Sequence, residues 1–89
     1  MTGGKENPMA EIKRSDIAKT IKTIAAHVRP ENFVPCVFGL CEVWVNHLHE
    51  QDGFANNIKW SVDSHTREII FSIYDEHGEA TKILDVLRY

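Results

Sequence analysis

The sequence predicts an α+β fold: two N-terminal α-helices packed on a C-terminal antiparallel three-stranded β-meander. Three observations carry this. Ile17, Ile21, Ile24 and Val28 recur at helical spacing and so share one face. From Ile58 onward the apolar residues alternate instead, as Ile58, Trp60, Val62 and then Ile69, Phe71, Ile73, the period of a half-covered strand. Two polar runs, Asp63-Ser64-His65-Thr66 and Asp75-Glu76-His77-Gly78, punctuate that alternation as turns.

The elements follow in order. Residues 1–12 hold Gly3, Gly4 and Pro8 without periodicity and read as a flexible tail, leaving residues 13–89 as one domain. Ser15 is a suitable N-cap for the first helix, with Asp16 placed where a negative charge suits the helix dipole. Arg29-Pro30 stops it, because a residue before proline avoids the α region. Residues 30–35 read as a connector, with Pro35 opening the second helix. That helix carries the stripe Val37, Cys41, Trp44, Leu48, with Phe38 and Val45 on another side, which predicts a central helix covered twice. Valine and tryptophan make a strand over residues 42–48 the competing reading. Asp52-Gly53 reads as the exit. Asp75 to Glu79 fits a type I turn closed by a glycine bulge, which favours a strand rather than a helix for the last segment, residues 81–86.

At 89 residues the chain is one small domain with little stability to spare, so burial against a second copy is expected. The longest apolar run, residues 37–45, is interrupted by Gly39 and Glu42 and is too short to span a bilayer. The first residues lack the apolar core of a signal peptide, and a cytoplasmic location is the expectation. Charge is uneven. Residues 1–29 hold six Lys/Arg against three acids (6 − 3 = +3), and residues 30–89 hold the other four against ten (4 − 10 = −6), giving the net −3. That polarity suits reciprocal or protein contacts, and the negative total disfavours nucleic acid as a partner.

Four sets of residues bear on chemistry. Cys36, Cys41, His47 and His49 are of zinc-binding types, but five residues separate Cys41 from His47 where a finger needs about a dozen. On a helix His47 and His49 diverge by roughly 200°, and the two cysteines stand too far apart for a disulfide. No metal, cofactor or catalytic set is expected. His65, Arg67, His77, Arg88 and Tyr89 supply proton-shuttling and phosphate-holding groups, placed mostly in turns. Lys13, Lys19, Lys22 and Arg29 give the first helix a basic outer side, without the aromatic readers that nucleic-acid sites carry. Trp60, Tyr74 and Tyr89 belong to a set of aromatics that a domain this size rarely buries completely. Ile70, Ser72 and Tyr74 also leave the reverse side of the middle strand partly apolar.

The run from Arg67 to Glu79, with Ile83-Leu84-Asp85-Val86-Leu87, resembles the closing hairpin of RelE/ParE-type toxins over about a quarter of the chain. It is also similar to the C-terminal part of the flagellar FlaG family. The toxin resemblance implies two helices on a sheet and a ribonuclease or gyrase-poisoning activity. The family's N-terminal strand and basic surface have no counterpart in residues 1–12 or in the acidic C-terminal part. The residues themselves favour a non-enzymatic, inhibitor- or adaptor-like module that occupies a protein surface and self-associates. Its expected contacts are Ile70, Tyr74, Trp60, Tyr89, Lys19, Lys22 and Arg29. The alternatives are a toxin-type nuclease and a small nucleic-acid-binding regulator using the basic helix face.

Overall fold

In the computed structural model, which describes residues 12–53 and 56–89, two helices precede a three-stranded antiparallel sheet of order β1-β2-β3. Helix α1 spans Arg14–His27 and α2 spans Pro30–Asp52. The strands are β1 Asn57–Asp63, β2 Glu68–Tyr74 and β3 Ala80–Arg88. The predicted tail lies outside the described residues except for Ile12, which packs against the core rather than trailing from it.

Helix α1 starts two residues earlier than a Ser15 cap requires. Lys13 occupies the cap position without a side-chain hydrogen bond, and Ser15 lies within the first turn. Arg14 is held in that turn because its guanidinium reaches across to β3, donating to both carboxylate oxygens of Asp85 and to the Val86 carbonyl. Ile17 and Ile21 are the buried pair of α1.

Helix α2 departs further from the expectation. The connector is only Val28 and Arg29, both extended, and Pro30 sits in the first helical position. Pro35 lies inside the helix instead of opening it. Proline there removes a hydrogen bond to the carbonyl one turn back, normally at a cost of about 3 kcal/mol or more. Packing overrides that cost. Phe33, Val37, Cys41, Trp44 and Leu48 are all buried along one continuous helical stripe that begins before Pro35, so starting the helix later would forfeit the Phe33 anchor. Burying such a side chain is worth about 1.5–3 kcal/mol, and the stack of Phe33 on Tyr89 adds about 1 kcal/mol. The competing strand over residues 42–48 does not form. Gly53 ends the helix with φ 99°, and its N–H closes on the His49 carbonyl at 2.7 Å.

The sheet has the predicted register. Ile58 pairs with Ile73, Trp60 with Phe71, and Val62 with Ile69, so these six side chains share the face turned to the helices. Asp75 closes the second turn: its carboxylate accepts the His77 and Glu79 N–H groups, and Gly78 takes φ 81°. The last segment is a strand, with two register shifts against β2. Those bulges redirect its alternation. Asp85 and Leu87 stand opposite Phe71 and Ile69 on the helix side, while Ile83 and Val86 stand opposite Ser72 and Ile70 on the other.

Both helices lie on one side of the sheet, α2 against β1 and α1 toward β3. The molecule is 17 Å deep along its shortest axis, about the depth of one helix layer on one sheet. Among the described residues, helix α2 is therefore covered by α1 and the sheet alone, and Val34 and Phe38 remain exposed instead of meeting a second cover. Two tryptophan–carboxylate bonds tie the layers. Trp44 Nε1–H donates to Asp85 at 2.9 Å, and Trp60 Nε1–H donates to Glu42 at 2.9 Å.

Candidate functional site

Because both helices stack on the same side, the reverse side of the sheet has no covering layer among the described residues. Its centre is apolar. Ile70 and Tyr74 from β2 and Val86 from β3 are half-buried, and Ile83 is 60% exposed. Ser72, at the middle of this face, is only 3% exposed, shielded by its neighbours on the three strands. The border is charged. Lys59 Nζ lies 5.7 Å from the centroid of the Tyr74 ring, and Arg88 pairs with Glu68 at 3.1 Å. The uncovered face thus has an apolar centre rimmed by both signs of charge.

The expected contact residues divide between several places. Ile70 and Tyr74 share the uncovered face. Trp60 does not; it belongs to the helix side, where it donates to Glu42 and meets Phe38 edge-on at 5.6 Å. Its indole is occupied in joining α2 to β1. Tyr89 is at the end of the sheet, stacked on Phe33 with centroids 4.3 Å apart. Lys19 and Lys22 are exposed on α1, and Arg29, in the connector, lies 4.0 Å from Glu31. Ile83 and Val86 escaped the sequence reading because simple alternation puts Thr81 and Ile83 on one side to the end of the strand. The bulges that reset it have no glycine to announce them.

The potentially reactive groups are dispersed. His65 and Arg67 lie in the β1–β2 turn and His77 lies in the β2–β3 turn, at opposite ends of seven-residue strands. That separation is roughly 20 Å at the strand rise per residue, so they do not form one site. His47 stacks on Trp44 with centroids 4.5 Å apart, and His49 Nδ1 lies 3.4 Å from the Gly53 carbonyl. Cys36 is exposed and Cys41 buried, both as free thiols. Burial, assisted by the neighbouring Glu42 charge, pushes the Cys41 thiol up to about 12, so it stays protonated and unreactive at neutral pH. Among the described residues no three His, Cys, Asp or Glu side chains gather where they could hold a metal ion, and no helix is long and apolar enough to cross a membrane.

Asp85 is the polar centre of the interior. Burial alone would raise its pKa, but hydrogen bonds from Arg14, Trp44 and the Val86 N–H, with the Arg14 charge, outweigh burial and hold it below the usual carboxylate value. Arg14 is raised in turn, chiefly by its bonds to Asp85. The signal in the sequence is one acid inside the otherwise apolar run from Ile83 to Leu87. Three elements, α2, β1 and β2, lie between it and Arg14 in chain order and hide the partner.

No protein-family model, curated protein or solved structure matches the chain.

Proposed function

We propose that this chain is a small non-enzymatic binding module that acts by occupying a protein surface, and that it self-associates through the uncovered face of its sheet. The observation that carries the reading is Ile83, 60% exposed beside half-buried Ile70, Tyr74 and Val86, in a fold whose helices all serve the other side. A second copy suits this face. A two-fold contact lays the apolar centre on itself and lets Lys59 of one copy approach the Glu68 edge of the other, a self-complementary pattern. A three-stranded face of seven residues measures roughly 23 Å by 14 Å. That footprint, about 320 Å² per copy, is well below the roughly 800 Å² per partner of standard interfaces, so the expected association is weak, with a dissociation constant on the order of hundreds of micromolar. Exposed, free Cys36 suits a reducing compartment, which supports a cytoplasmic location.

Sedimentation equilibrium of the full chain over a concentration series reaching about a millimolar tests the reading. The wild type should approach dimer mass. Ile83→Glu, and separately Ile70→Lys with Tyr74→Ser, should stay monomeric while keeping the circular dichroism of the wild type. A wild-type chain that remains monomeric throughout, or an Ile83→Glu chain that still dimerises, rejects this face as the interface.

A further inference from the structure

The two edges of the sheet differ. The Arg67 carbonyl accepts the Tyr89 N–H at 2.9 Å, which fixes the hydrogen-bond phase of the β2–β3 pair. Ile69–Leu87 and Phe71–Asp85 are then bonded pairs, and Val86 turns its own N–H and C=O outward. Both groups are met. The Asp85 carboxylate accepts the Val86 N–H at 2.8 Å, and Arg14 donates to the Val86 carbonyl at 2.7 Å, so α1 closes the β3 edge there.

The same phase carries across β2, where Ile70 and Ser72 bond to β1 opposite Ser61 and Lys59. Ile58, Trp60 and Val62 therefore point their N–H and C=O groups away from the sheet. Among the described residues nothing hydrogen-bonds to these outward groups. The strand holds its register without a bulge and contains no proline. Its lysine, Lys59, lays its ammonium inward over the Tyr74 ring of β2 at 5.7 Å rather than across the edge. An edge left this way is a template for another strand.

Beside this edge, on the helix side, lies a hollow of about 290 Å³ between Phe38, Glu42 and Val45 of α2 and Ile58, Lys59 and Trp60 of β1. Phe38 is 53% exposed and meets the Trp60 ring edge-on at 5.6 Å. Glu42 is exposed and accepts the Trp60 indole N–H through one oxygen, which leaves its carboxylate further lone pairs. The hollow thus holds a negative charge beside two aromatic rings, in a part of the chain that carries four basic residues against ten acids.

We infer that the β1 edge binds an extended segment of a partner protein as a fourth, antiparallel strand, with an arginine of that segment seated in the hollow. The segment's backbone pairs with Ile58, Trp60 and Val62. The arginine lays its aliphatic stem on Phe38 and Trp60 and turns its guanidinium to the rings and the Glu42 carboxylate. Backbone pairing selects no sequence and the hollow selects no strand; together they select a basic, extended peptide. Such a site draws on the reading of the chain as a protein-binding module, but uses a surface other than the reverse face.

The test titrates the capped heptapeptide Thr-Val-Ser-Arg-Thr-Val-Ser, to about a millimolar, into the full chain and follows amide NMR. The Ile58, Trp60 and Val62 amides should shift saturably and exchange their hydrogens more slowly. The same peptide N-methylated at its arginine and both valines, the residues whose N–H groups face β1, should bind at least about tenfold more weakly. A peptide with glutamate in place of arginine should bind at least about fivefold more weakly. Glu42→Gln keeps an acceptor for the Trp60 N–H and should lose about fivefold in affinity for the arginine peptide. Ile83→Glu, on the reverse side, should bind it as the wild type does. A chain that takes the peptide while remaining monomeric upholds this site and defeats only the self-association reading. No saturable shift at these amides, or binding that is indifferent to N-methylation or to glutamate for arginine, overturns the inference.

Discussion

Asp85→Asn is the sharpest test of how the two layers are held together. The substitution keeps shape and removes charge. In the wild type one carboxylate with 17% side-chain exposure accepts from Arg14 at 2.9 Å and 3.0 Å, from Trp44 Nε1 at 2.9 Å and from the Val86 N–H at 2.8 Å. Arg14 is 51% exposed, so its pairing is screened and contributes no more than about 1 kcal/mol. Trp44 is 5% exposed, and its N–H loses a charged acceptor, a loss of about 1.5 kcal/mol. The amide can still accept one bond, which places the expected destabilisation near 2 kcal/mol. For a domain of this size that lowers the melting midpoint by roughly 8–16 °C. The pH dependence gives an independent reading. The folded-state pKa of Asp85 is depressed, so its contribution is fully present above the unfolded value of about 3.9 and disappears as pH falls through the lower folded value. Denaturant melts of wild type and Asp85→Asn should therefore differ most near neutral pH and converge in acid. A gap that stays constant from neutral pH to about pH 2.5 would falsify the assignment of this stability to the ionised carboxylate.

Three further outcomes are expected. Pro35→Ala should restore the missing helical hydrogen bond and raise stability by about 1 kcal/mol, less than the interior proline penalty because the unfolded chain also gains freedom; a lowered midpoint in thermal melts would contradict this. A chromogenic disulfide reagent at mildly alkaline pH should titrate one thiol, Cys36, in the native chain and two after denaturation, since Cys41 is fully covered and its pKa is pushed up to about 12. Ile83→Glu should change the denaturation midpoint of the dilute chain by no more than about 0.5 kcal/mol, because the side chain is 60% exposed and touches no core; a large loss in that assay would mean Ile83 serves folding rather than contact.

Periodicity and turn chemistry carry most of the fold. The helical recurrence of Ile17 and Ile21, the alternation of Ile58 through Ile73 and the Asp75–Gly78 turn each act through a few neighbouring residues, and neighbouring residues are what a sequence displays. The uncovered face was half legible in the same way, through Ile70 and Tyr74 on the reverse of β2. What the chain order hid were agreements between distant segments. Pro35 is tolerated inside α2 because Phe33 finds Tyr89, and the bulges of β3 turn Asp85 inward, where Arg14 and Trp44 meet it. Trp60 faces Glu42 rather than solvent for the same kind of reason. Local sterics and hydrophobic period settle which segments are helix or strand, because those forces act over one turn or two residues. Which side of the sheet stays bare, and which acid is drawn into the interior, depend on contacts closed between distant segments, and only the folded arrangement decides them.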